Sequence, residues 1–343
     1  MWRKFLFTAF GNTGEKSMMG FDNVKPEEIG EFDGAEHLMI LASEQCVDEL
    51  KESIAELKSP SFGAIFPEIF FRGRRYSDRV IVVRFDFKVD VFRGSELKET
   101  DGRTLMVFAD GNFDGSEEIL EKAFMKYGSV TYIGGGAGSL GKNIQCLFDT
   151  RGFFSKDCLF VSLPFEFNVK VRHGWRATEL EFISTKTHGR KIVELDWRSA
   201  FDVYSEALES IGVEIDPENF FDVAKGYPFG LRRLEGEMVV KDPLAVNSGA
   251  IVCAGKVPEN CVLSLMHGDA KSLLSAAREC ADIEGENLIA FDCISRALYL
   301  DEYYKQELKY LKDAAGAMTI GEIAAKKTYP DFYNKTVVVG GLD

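Results

Sequence analysis

The sequence predicts an α/β (α+β) protein, with mixed sheets flanked by helices, in two related domains built from repeated strand–helix–strand–strand units. Three observations carry this expectation. Three separated stretches repeat one order of apolar run, amphipathic helix, glycine-marked strand, turn and closing strand. The length of 343 residues suits two domains at roughly 150 residues each, and it buries a core without disulfide or metal staples. The composition, 45% hydrophobic and 28% charged, is that of a folded chain and too apolar for a disordered one.

The elements follow in order. Met1 to Phe10 is apolar, but the run stops at Gly11, short for the core of an export signal, so it reads as a first strand. The first repeat opens with Leu38-Met39-Ile40-Leu41 and continues into a helix with Val47, Leu50, Ile54 and Leu57 on one face. It then reaches Gly63-Ala64-Ile65 and closes in Arg79 to Val83. The second has Leu105 to Phe108, a helix carrying Ile119, Leu120, Ala123 and Phe124, Val130 to Ile133 running into glycines 134 to 136, and Cys158 to Leu163. The third has Leu288 to Phe291, a helix carrying Leu300, Tyr304, Leu308 and Leu311, Gly316-Ala317-Met318, and Thr336 to Val339. Glu68-Ile69 matches Glu322-Ile323, and Tyr76-Ser77-Asp78-Arg79 matches Tyr333-Asn334-Lys335-Thr336.

Between the second and third repeats lie a strand from Lys191 to Asp196 and a helix from Trp197 to Ser210. A loop-rich stretch, a strand pair at Ile251 to Ala254 and Cys261 to Met266, and a helix from about Asp269 to Cys280 follow. Asp269 is placed to cap that helix with its carboxylate. A boundary near residue 195 divides the chain into residues 1–195 and 196–343.

The net charge of -14 argues against a nucleic-acid or anionic-membrane partner, since both bind through an excess of Lys and Arg. Seven cysteines without a Cys-x-x-Cys pair read as buried reduced thiols in a cytoplasmic chain. No stretch approaches ~18 uncharged apolar residues, so no transmembrane helix is expected.

Several motifs invite chemistry. Gly136-Ala137-Gly138-Ser139-Leu140-Gly141-Lys142-Asn143 has the glycines and lysine of a phosphate-binding loop. The strand-like Ile144 to Phe148 follows where a helix is required, so a tight glycine turn lining a pocket is the better reading. Asp110-Gly111-Asn112-Phe113-Asp114-Gly115 with Glu121 has calcium-loop spacing, but a strand precedes it, and acidic residues at a helix start explain it as well. The four histidines show no zinc pairing, although His173 or His267 suffices as a single haem ligand. Cys293 ends a strand near Arg296, which suits a nucleophile, and a buried structural thiol equally fits.

The ordered set Ala109-Asp110-Gly111, Gly134-Gly135-Gly136-Ala137-Gly138, Gly174-Trp175, Val193 to Asp196 and Pro228-Phe229-Gly230 resembles the FIST family. Lys241 to Val246, Leu265 to Asp269, Phe291-Asp292-Cys293 with Arg296, Gly321-Glu322 and Asn334-Lys335-Thr336 continue the likeness, which covers about residues 35 to 343. The resemblance implies an N-terminal and a C-terminal FIST domain in a sensory protein. Its implied ligands are small molecules, with amino acids suggested, and some relatives bind haem. The implied partners are histidine kinases, chemoreceptors or cyclic-dinucleotide enzymes. Two departures are Ser139-Leu140, where the family glycine turn continues with acidic residues, and Pro67-Glu68 in place of Gly-Glu.

The resulting expectation is a non-enzymatic ligand-binding sensor with a pocket between its domains. It would be lined by Gly134, Gly135, Gly136, Gly138, Trp175, Pro228, Gly230, Asp242, Gly268, Asp269, Cys293, Arg296 and Glu322. Arg296 would pair with a carboxylate, and Asp242 or Glu322 would take an ammonium group. A haem-binding gas sensor, an enzyme using Cys293 or a metal, and a protein-binding scaffold are the rival readings.

Overall fold

The computed structural model describes residues 19–233, 238–326 and 328–342, so the segment Met1 to Phe10 lies outside the described residues. The fold is α+β, with helices flanking three mixed sheets of six strands and an antiparallel sheet of eight.

Each six-stranded sheet belongs to one of three units with the same connectivity. The first unit has an edge strand Met19–Val24, a first strand His37–Ser43, a helix Val47–Glu56 and a second strand Ser61–Phe66. A hairpin, Glu68–Phe71 with Arg74–Tyr76, and a last strand Val80–Phe85 complete it. The second unit repeats this as Asp90–Arg93, Thr104–Asp110, Ser116–Tyr127, Thr131–Ala137, the hairpin Leu147–Asp149 with Gly152–Phe154, and Cys158–Leu163. The third starts with Phe167–Arg172 and resumes at Glu286–Cys293 after a long insertion. It continues with helices Ile294–Leu300 and Tyr304–Tyr310, Ala315–Thr319, the hairpin Glu322–Lys326 with Asp331–Tyr333, and Val337–Leu342. The helix expected around Leu300 to Leu311 is thus two, broken where Asp301 takes a left-handed φ of 48°.

In every sheet the order is edge, last, first and second strand, and then a hairpin supplied by another unit. The second unit's hairpin joins the first sheet, the third unit's joins the second, and the first unit's joins the third. The exchange closes a ring. The first strands are central and covered on both faces, which is why Leu38 to Ala42 and Leu105 to Ala109 are continuously apolar instead of alternating.

Register shows why each second strand carries a glycine. Gly63, Gly134 and Gly316 lie opposite Ile40, Val107 and Ala290. A Cβ there would sit 1.9, 1.8 and 2.1 Å from those residues' carbonyl oxygens. On the other side the hairpins present Phe148, Ile323 and Phe70 to the same three glycines. One backbone hydrogen bond also recurs at the strand ends: Ser43 N to Arg79 O (3.2 Å), Asp110 N to Asp157 O (3.0 Å) and Cys293 N to Thr336 O (3.1 Å).

The insertion, residues 176–281, holds all eight strands of the eight-stranded sheet and the helices Ala200–Ser210, Phe220–Ala224 and Ala270–Ala281. Helix Ala270–Ala281 packs on the third unit's edge and last strands. Asp269 caps it, accepting from Ser272 N at 2.7 Å, as its sequence position indicates. Asp196 and Trp197 form a left-handed turn, φ 50° and 61°, so the next helix begins at Ala200 and not at Trp197. Three of the four sheets combine strands from both sides of residue 195.

Candidate functional site

The three units share a backbone but not their chemistry at the carboxyl ends of the strands, where ligands bind in open α/β sheets. One residue before the glycine-facing hairpin position stand Ile69, Leu147 and, in the third unit, Glu322. Two residues beyond Ile40, Val107 and Ala290 stand Ala42, Ala109 and Asp292. All six are fully buried, so the third unit places two carboxylates in slots that are apolar elsewhere.

The third unit's own helices supply Arg296 and Glu307 at this end, and the insertion adds the Asp242 carboxylate and the Leu273 carbonyl. Arg296, with no exposed surface, donates from Nε and Nη2 to Glu307 at 2.8 and 2.7 Å. Nη1 reaches the carbonyls of His173 (2.6 Å) and Lys335 (3.2 Å), Nη2 also reaches Leu273 O (3.0 Å), and Asp292 lies 3.3 Å from Nε. All five guanidinium hydrogens therefore have partners, and none remains for a ligand carboxylate. Burial pushes the Asp292 carboxyl well above the usual range, Glu307 adds to the rise, and Arg296 opposes it; Tyr304 donates to Asp292 at 2.8 Å.

Glu322 accepts from Thr319 Oγ1 at 2.7 Å and from Thr336 N at 3.2 Å, and burial lifts its pKa to about 8. Cys293 adjoins it, and burial pushes that thiol up, which is the opposite of what a nucleophilic thiolate requires. Asp242 pairs with Lys335, Oδ1 to Nζ 3.2 Å, so its charge is already met without a ligand ammonium. The Lys335 ammonium also lies 5.3 Å from the centre of the Trp175 ring and 5.9 Å from that of Tyr299. Lys335 is 1% exposed and holds a left-handed φ of 50°, so backbone strain and charge burial coincide there.

Alternation along two adjacent segments carries this cluster to a cleft. Val239–Lys241 lies against the segment after Tyr333, with Asn334 N donating to Val240 O at 3.2 Å. Asp242 and Lys335 face the buried side. Lys241 faces a cleft of about 510 Å3 between helix Ser116–Tyr127, the insertion and the third unit's hairpin. Leu120, Leu231, Val257, Tyr329 and Phe332 make its apolar wall. Lys241 is 2% exposed, yet among the described residues its ammonium has one hydrogen bond, to Phe332 O at 3.3 Å, and one carboxylate, Glu117, at 3.7 Å. Asn334 Oδ1, also buried, has no hydrogen-bond partner among the described residues. A Cβ on Gly255 would lie 3.1 Å from Lys241 Nζ and 3.5 Å from Asn334 Oδ1, so that glycine leaves the space beside both open.

The structure gathers some expected site residues and separates others. Trp175, Asp242, Cys293, Arg296 and Glu322 belong to one buried group, and Gly268 packs under Trp175. Gly134, Gly135 and Gly136 form strand, not a turn, paired with Glu322 and its neighbours; Gly135 leaves room for Thr319. Gly138 donates to Ile65 O in the first unit, away from the cluster. Pro228 and Gly230 serve the inserted sheet's ladder, and the Asp269 carboxylate is engaged at the helix cap. His173 Nδ1 accepts from Trp175 N at 2.9 Å, and His267 stacks on Tyr227. Asp110 accepts from Asn112 N and Lys156 N, and the described residues contain no group of three or more His, Cys, Asp or Glu side chains placed to hold a metal. Lys241, Glu307 and Lys335 had no assigned role; the signal was a lysine after Val239-Val240 in an apolar strand.

Two family models match in tandem, the FIST N domain over residues 38–198 and the FIST C domain over residues 200–325. A protein of Methanocaldococcus jannaschii, described only as uncharacterized, is 23% identical over 216 residues, which is 58% of this chain and 42% of that relative. The chain thus spans about two fifths of that relative's length. With two consecutive matches over most of its length, the chain belongs to the FIST family, whose domains are associated with sensory signal transduction.

Proposed function

We propose that this FIST protein is a cytoplasmic, non-enzymatic sensor that binds an amino acid, or a similarly small zwitterion, in the cleft above Lys241. The observation that carries the reading is the Lys241 ammonium. It is nearly inaccessible, yet among the described residues its three hydrogens have one hydrogen bond, of 3.3 Å, so it is under-coordinated there for a buried charge. A ligand carboxylate supplies the missing acceptors, and Asn334 Oδ1 with Glu117 offers acceptors to the neighbouring ammonium. The walls come from both matched domains, so occupancy bears on how they sit together, and the signal would pass to a partner such as a histidine kinase or cyclic-dinucleotide enzyme. The shared connectivity and glycine register support descent of the three units from one ancestral unit.

Thermal shift and calorimetry against the standard amino acids and small carboxylates test this. A binding amino acid at a hundredfold excess over its Kd should stabilise the fold by about 2.7 kcal/mol. Lys241→Met should abolish that shift and leave the folded protein otherwise intact. Binding that is unchanged in Lys241→Met, or no binding at all, would remove the cleft as the sensory site.

A further inference from the structure

We infer that the ligand carries a second positive charge: the cleft is shaped for a dibasic amino acid, with its side-chain cation held by Glu121 and Glu259. This rests on the reading of Lys241 as the carboxylate anchor. Arg233 is hydrogen-bonded to Asp331, Lys256 to Glu118, and Lys241 faces Glu117. Every described wall cation thus has a wall carboxylate. Glu121 and Glu259 also line the cleft, and neither forms an ion pair among the described residues; Glu259 accepts only from Thr187 N at 3.1 Å. Described cleft charge is therefore negative by two before a ligand enters.

A second observation points the same way. Tyr329, 38% exposed, lies in the cleft with its ring edge-on to Phe124 at 5.4 Å. Burial first, with Glu121, Glu117 and Asp331 adding to it, raises its phenol to about 12, so it stays neutral and offers a π face beside the Glu121 carboxylate. A carboxylate beside an aromatic face is the setting that favours an ammonium or guanidinium. Asn334 Oδ1, a buried acceptor near Lys241 with no partner among the described residues, calls for an N–H donor and suits the α-ammonium. The ligand would thus lie with its zwitterionic head at Lys241 and Asn334, its methylenes on the apolar wall, and its distal cation at the cleft's acidic mouth.

The test is calorimetric titration of the full chain with lysine, arginine and ornithine against norleucine and methionine, which match them in length without the distal charge. We expect the dibasic ligands to bind about three- to tenfold more tightly at low salt, and the advantage to shrink as salt rises. Glu121→Gln with Glu259→Gln should erase the advantage while leaving norleucine affinity unchanged. Norleucine binding as tightly as lysine, or a preference that survives the double substitution, overturns the inference and leaves Lys241 as anchor. Loss of every amino acid's binding in the wild-type chain overturns both.

Discussion

The first and third units use the same backbone to opposite ends. In the first, the hairpin slot holds Ile69, and the loop before the last strand leaves Asp78 exposed and Arg79 half-buried. In the third, the same slot holds Glu322, and the corresponding loop residues Lys335 and Thr336 are buried. The difference follows from what lies on top. The insertion between Arg172 and Glu286 buries the third unit's strand ends, while on the second unit it meets the half-buried loop and helix start at Asn112 to Glu118; a buried end can hold charges that an apolar core would reject and that solvent would screen. The symmetric ring therefore acts as scaffold, and its capped end provides the chemistry.

The largest expected effect comes from breaking the capped end. Arg296→Met leaves Glu307 and Asp292 buried without their cation, and it should cost about 3–5 kcal/mol in urea unfolding. Cys46, at the corresponding position of the first unit, bears no such charge; Cys46→Ala should cost far less. Comparable losses at the two positions would mean that the third unit's charges are not a cooperative network.

Where the units are alike, substitutions should act alike. Gly63→Ala, Gly134→Ala and Gly316→Ala each drive a Cβ into a strand carbonyl, and each should cost about 2–4 kcal/mol. A tolerant member of the trio, read by thermal unfolding, would show a unit whose strands can separate.

Strand–helix–strand order and the glycine positions were legible in the sequence, because apolar runs and the close approach at Gly63, Gly134 and Gly316 leave local signatures. The exchange of hairpins was not: alternation in Glu68 to Phe71 fits any open sheet edge, and the choice of edge is made by distant strands. The likeness of Glu68-Ile69 to Glu322-Ile323 is also one residue out of register, since the slot of Glu322 is that of Ile69. At the site, Trp175, Asp242, Cys293, Arg296 and Glu322 could be gathered as strand-end residues. Their pairings could not be read, because Arg296 bonds Glu307, eleven residues on, and Asp242 bonds Lys335, which is close only in the fold. Alternation decides that Lys241 faces the cleft and Asp242 the interior, and the sequence alone does not say which side is which.

The finest distinction between the units is a pH dependence confined to the third. Glu322 is raised from 4.5 to about 8 in the fold, so the folded state holds a proton that the unfolded chain releases. Its contribution to stability is fully present below about pH 4.5 and is lost as pH rises towards 8. Glu322→Gln should therefore flatten the decline of unfolding free energy between pH 5 and 8, by on the order of 1–3 kcal/mol. Some decline of the same sign should remain, because Asp242 and Asp292 are raised as well. The glutamine oxygen can accept from Thr336 N and its N–H can donate to Thr319 Oγ1, whose own hydrogen is within reach of Asp292 O, so the substitution removes the titration while keeping the hydrogen bonds, and the slope is the readout. Leu147→Gln supplies the control: in the second unit's copy of the slot, a neutral polar group should lower stability at every pH and leave the slope unchanged. An unaltered slope in Glu322→Gln would place the titrating proton elsewhere in the cluster, with Asp292 and its Tyr304 partner the next group to substitute.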